Sequence, residues 1–74
     1  MNISEQEFKF MTESITSDLV QLLIDRNQYS LPDAVKEVYS SHIYDALLRP
    51  TSKLYTQSSG YVYNYLIKEI KREG

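Results

Sequence analysis

His42 is the single histidine of the chain, and Tyr44 and Asp45 follow it at two and three residues. On a helix Asp45 would share a face with the imidazole and could orient it as a general base. A base needs a nucleophile or an oxyanion device to serve, and no pattern for either is recognisable. His42 therefore reads as a capping or packing residue at a helix start, and no catalytic residue is expected. Ser58–Ser59–Gly60 puts small residues before a helix, as phosphate-cradling turns do. It lacks the glycine and lysine spacing of a P-loop and reads as a helix cap. The chain has no cysteine, which excludes disulfide and thiol chemistry and makes a cytoplasmic setting the expectation. With one histidine, a zinc site of the usual Cys/His kind is excluded as well, so neither a metal nor a cofactor is expected.

The most informative constellation is Tyr61, Tyr65, Lys68 and Arg72, spaced i, i+4, i+7, i+11. On a helix these side chains form one ridge, pointing away from the apolar stripe of Val62, Tyr63, Leu66, Ile67 and Ile70. Aromatic rings beside cations can stack on bases or grip a phosphate or an acidic partner. The plainer alternative packs Tyr61 and Tyr65 under the preceding connector and leaves the cations solvated. Charge weighs against nucleic acid: the net charge is −2 and the pI about 5.2, whereas phosphate neutralisation dominates DNA affinity. The charge is also uneven. Residues 1–48 carry three Lys/Arg against eight Asp/Glu, a balance of −5; residues 49–74 carry five against two, a balance of +3. Such halves can attract each other within the fold or orient a head-to-tail encounter.

Four helices must position these residues. Ser4 and Glu7 make a capping box, and no Pro or Gly interrupts residues 5–27. Phe8, Met11, Ile15, Leu19, Leu22 and Leu23 fall within about 120° of one another on a helical wheel and mark the core face. Phe10, Val20 and Ile24 fall outside it. From Leu19 to Ile24 the helix is apolar almost all round, so it needs cover on two sides, from the other helices or from a homodimer contact through Phe10, Val20 and Ile24. Ser30 caps a second helix over 31–39, with Pro32 and Asp33 suited to its first turn. Leu31, Ala34, Val35 and Val38 share its face. Beyond Tyr39 the wheel fails, because Ile43, Tyr44 and Leu47 lie nearly opposite. That phase change predicts a break at Ser40–Ser41 and a third helix over 42–48, a continuous helix buried on both faces being the alternative. Pro50 ends the third helix. Residues 51–59 form a polar connector pinned by Leu54 and Tyr55, and the last helix runs from Ser58 or Ser59 to Arg72. No apolar run reaches the ~20 residues that span a bilayer, and no basic–apolar signal pattern opens the chain.

From about Ala34 to Ile70 the chain resembles a group of short helical bacterial proteins of uncharacterised function. The residues that carry the likeness are Tyr39, Ser41, Tyr44 and Leu47, in the form Tyr-x-Ser-x-x-Tyr-x-x-Leu. Leu54–Tyr55 and the helix start Tyr61–Val62–Tyr63 follow, with Leu66 and Glu69–Ile70 behind them. Some members of this group are encoded beside ADP-ribosyltransferase-like proteins, so the resemblance implies a companion or neutralising subunit. The shared residues are mostly of the core and cap type and bring no catalytic residue with them. Residues 1–74 are thus expected to form a single all-α domain, a compact bundle of about four helices. Its expected role is that of a non-enzymatic protein–protein interaction module, a homodimer or the companion of another protein. The alternative is a nucleic-acid-associated regulator using the Tyr61, Tyr65, Lys68, Arg72 ridge.

Overall fold

Helix α1 (Glu5–Asn27) sets the length of the molecule. Its 23 residues span about 35 Å at 1.5 Å per residue, and the longest axis of the fold is 37 Å. The computed structural model describes residues 3–73. The capping box forms as the sequence demands. The Ser4 hydroxyl accepts from the Glu7 N–H at 3.1 Å, and the Glu7 carboxylate accepts from the Ser4 N–H at 3.3 Å. At the far end Gln28 takes a left-handed conformation, φ 57°, and the Tyr29 N–H reaches back to the Leu23 carbonyl at 3.3 Å. That contact closes the helix and turns the chain back along it.

Helix α2 (Leu31–Tyr39) and helix α3 (His42–Leu47) are separate, as the phase change requires. Ser30 caps α2 through the Asp33 N–H, and Ser41 caps α3 through the Tyr44 N–H. Leu48 is the C-cap of α3 and not its last turn. Two single turns of 3-10 helix, Pro50–Ser52 and Leu54–Thr56, make up most of the connector, and among the described residues there is no strand. The Ser52 hydroxyl ties this segment back to α3 by donating to the Ala46 carbonyl at 2.6 Å. Tyr55 packs edge-on against Phe8 of α1, ring centroids 5.0 Å apart. Helix α4 (Ser59–Glu73) completes an all-α bundle.

The core gathers Ile15, Leu19 and Leu23 of α1, Ala34 and Val38 of α2, Leu47 of α3, and Val62, Tyr63 and Leu66 of α4. Two details depart from the wheel. Phe8, Met11 and Leu22 are only half-buried, and Thr12 and Thr16 are buried in their place. The α1 core face is thus rotated toward the threonines. Their hydroxyls carry no desolvation penalty, because Thr16 donates to the Thr12 carbonyl at 2.7 Å and Thr12 to the Lys9 carbonyl at 3.1 Å. Back-bonding of this kind lets a helix bury threonine. Among the described residues no buried side-chain nitrogen or oxygen lacks a partner, and no helix is long and apolar enough to cross a membrane.

Candidate functional site

The ridge of α4 is open to solvent. Tyr61 and Tyr65 keep 43 % and 42 % of their surface exposed. They pair with each other, ring centroids 5.3 Å apart and hydroxyls 3.4 Å apart. The hydrogen bond to Tyr65, more than that ring's charge or any burial, pushes the Tyr61 hydroxyl above the ordinary tyrosine range. One turn on, the Lys68 ammonium lies 5.3 Å from the centre of the Tyr65 ring, within reach of the ring's negative face. Arg72 extends the same line. Lys68, Arg72 and Tyr65 also border an open cleft of about 660 Å³ between α3 and α4, whose other walls are His42, Ile43 and Glu69.

Glu69 gives that cleft its architecture. Its carboxylate accepts from the His42 N–H at 2.8 Å and from the Ile43 N–H at 3.0 Å, while the Ser41 hydroxyl takes the Tyr44 N–H at 3.0 Å. The amides that open a helix have no partner within it, and here two of them are held by a side chain from a different helix. His42 thus reaches the cleft through its backbone anchorage to α4. Its imidazole is on an exposed residue, and Asp45 is exposed as well. Among the described residues no group of three His, Cys, Asp or Glu side chains could hold a metal ion.

A second surface lies on the other flank of α1. Three residues of α2, Leu31, Val35 and Tyr39, recur at i, i+4 and i+8 and remain exposed, from 38 % at Val35 to 60 % at Leu31. Together with Tyr44 and Leu48 they wall a groove of about 540 Å³ whose opposite wall is α1, through Glu13, Ser17, Val20 and Gln21 among others. Tyr39 and Tyr44 meet edge-on at 4.8 Å across the α2–α3 break. Burial first, then the neighbouring charges of Tyr39, Glu13 and Asp45, raise the Tyr44 hydroxyl above its usual range.

The three α1 residues with dimer potential are divided by this geometry. Val20 lines the groove. Ile24 is half-buried and packs against the core. Phe10 lies about 80° round the wheel from Val20 and about 15 Å from it along the axis; it is 72 % exposed and does not line the groove. The α2 stripe was not separable from the core in the sequence, because Leu31 and Val35 share their wheel face with the buried Ala34 and Val38. The signal that could have found it is width: the apolar arc of α2 from Ala34 to Tyr39 covers about 140° on a wheel of 3.6 residues per turn, wider than one packing partner covers.

No protein-family model matches the chain, and no curated protein or solved structure matches it either. What the geometry defines is a small all-α bundle carrying two exposed surfaces, an apolar groove and an aromatic–cationic ridge.

Proposed function

We propose that the chain is a non-enzymatic helical interaction module that associates with a second copy of itself through the groove between α1 and α2. The observation that carries this reading is the exposed Leu31, Val35 and Tyr39 stripe, which continues across the groove to Val20 and along it to Leu48. Apolar side chains scattered singly over a surface need no explanation, whereas a contiguous patch rimmed by polar residues is typical of an interaction site. A chain of this length buries only about 60% of its unfolded surface, and association is a common supplement to so small a core. The test is solution mass by light scattering over a concentration series, with Leu31→Glu beside the unaltered chain. The expected result is a mass that rises with concentration and a variant that stays monomeric and folded. A mass fixed at the monomer would overturn the reading.

The companion role implied by the bacterial resemblance would use the same groove for a different protein. A nucleic-acid contact through Tyr61, Tyr65, Lys68 and Arg72 is the alternative, and the openness of that ridge favours it. The acidic balance of the chain and the Glu69 carboxylate within the adjoining cleft oppose it. Titration with a fluorescent single-stranded oligonucleotide separates the readings, since phosphate binding weakens steeply between about 50 and 200 mM salt.

A further inference from the structure

The two exposed surfaces differ in chemistry, one an apolar groove with Glu13 on its wall and the other a pair of rings followed by two cations. Resting on the groove reading above, we propose that the groove of one copy receives the α4 ridge of the next, Tyr61, Tyr65, Lys68 and Arg72, so that copies join head to tail.

Length is the first argument. The α2 wall runs from Leu31 to Tyr39, eight residues or about 12 Å, and the ridge runs from Tyr61 to Arg72, eleven residues or about 16 Å. The ridge therefore spans the groove with less than one turn to spare, and its spacing is that of helix-in-groove anchors. Chemistry is the second. The groove offers aliphatic side chains and the Tyr39 ring with Glu13 on its α1 wall. The ridge offers two paired rings followed by two cations, with Lys68 already held against Tyr65. Charge is the third. The groove belongs to the segment with a balance of −5 and the ridge to the segment with +3. A two-fold pairing of groove on groove would leave both ridge tyrosines in water and would offer Glu13 no cation, since among the described residues the groove lining holds no Lys or Arg.

Head-to-tail contact is heterologous, so it generates rings or open chains instead of stopping at a dimer. It is also weak. The exposed parts of the named side chains amount to roughly 400 Å² on each surface, against about 800 Å² per partner in a standard interface. The average mass should therefore climb gradually and pass the dimer without a plateau.

The test uses two variants of the full chain, one with a blocked groove, Val35→Glu, and one with a blunted ridge, Tyr65→Ala with Arg72→Gln. Sedimentation is measured on each alone and on an equimolar mixture, with circular dichroism as the check on folding. Leu31→Glu replaces Val35→Glu if the latter unfolds. Each variant alone should be monomeric. The mixture retains one intact groove and one intact ridge, so it should form a one-to-one heterodimer and nothing larger. A ridge variant that self-associates as strongly as the unaltered chain would overturn the head-to-tail pairing while leaving the groove reading standing. An unaltered chain that stays monomeric overturns both.

Discussion

Replacing Glu69 with alanine should destabilise the domain by about 2 kcal/mol, although the residue sits in a solvent-facing cleft. Its carboxylate accepts two backbone N–H groups of α3, from His42 at 2.8 Å and Ile43 at 3.0 Å. Hydrogen bonds to a charged group contribute about 1.5–3 kcal/mol each, and loss of a helix cap costs about 0.5–2 kcal/mol. Water can replace the carboxylate at the exposed His42 amide and much less easily at the half-buried Ile43 end, so about one full bond is lost. In a domain of 60–100 residues each 1 kcal/mol moves Tm by roughly 4–8 °C, so the expected fall is about 8–16 °C. Glu69→Gln keeps one acceptor oxygen and loses the charge, and should fall between alanine and the native residue. Lys68→Ala, one position away on the exposed ridge, should stay within about 0.5 kcal/mol. The assay is thermal unfolding followed by circular dichroism, with amide exchange by NMR at His42 and Ile43, which should lose protection first. If Glu69→Ala lowered Tm by less than about 2 °C with both amides still protected, α3 would not be held by α4 in the way described.

Three further outcomes follow from the same structure. Gly60 has negative φ and nothing within 4 Å of where a Cβ would stand, so Gly60→Ala should raise stability by about 0.4–1 kcal/mol in urea unfolding, by reducing the freedom of the unfolded chain. Thr16→Val should change stability by less than about 1 kcal/mol in the same assay, because the buried hydroxyl only supplements a carbonyl that the helix already uses. Burial, ahead of nearby charges, raises the Tyr29 and Tyr44 hydroxyls; the folded state therefore holds these protons more tightly than the unfolded chain, whose tyrosines titrate near 10. Their contribution is complete below that pH and is lost as pH rises through the folded values. The urea midpoint should fall above about pH 10, less steeply in Tyr29→Phe and Tyr44→Phe.

Local rules written in the sequence were sufficient for the helices. Ser4 with Glu7, Ser30 with Asp33 and the phase change at Ser40–Ser41 each act within a few residues, so the elements they specify could be read without knowing what packs on what. Facing could not be read in the same way. The core side of α1 was centred on its aliphatic residues, and the fold turned it toward Thr12 and Thr16, because α4 takes the Asp18, Leu22 and Arg26 flank while α2 takes the Thr16 and Val20 flank. The Ser59 hydroxyl donating to Asp18 at 2.6 Å, the Arg26 guanidinium 5.6 Å from the Tyr63 ring, and the Tyr63 hydroxyl donating to Asn27 fix the first of these contacts. In the sequence Glu69 stands only among the residues that carry the resemblance, with no capping role assigned to it. Its role depends on two amides 26 and 27 residues earlier in the chain, and no spacing rule reaches that far.

The same distinction explains where the uncovered apolar surface lies. The girdle from Leu19 to Ile24 places the demand for two-sided cover on α1, and within this fold α1 receives it, from α2 on one flank and α4 on the other. Helix α2 has an apolar arc as broad as that girdle requires, yet it meets α1 on one side only. Ala34 and Val38 are buried in the core, and Leu31, Val35 and Tyr39 remain exposed. The deficit in burial is thereby transferred from the long helix to the short one. Substitutions at Ile24, which packs against the core and does not line the groove, should then act mainly on folding, and substitutions at Leu31 or Val35 mainly on association. The interface proposed on α2 would then draw Val20 in from α1, while Ile24 packs against the core and Phe10 stays exposed outside the groove.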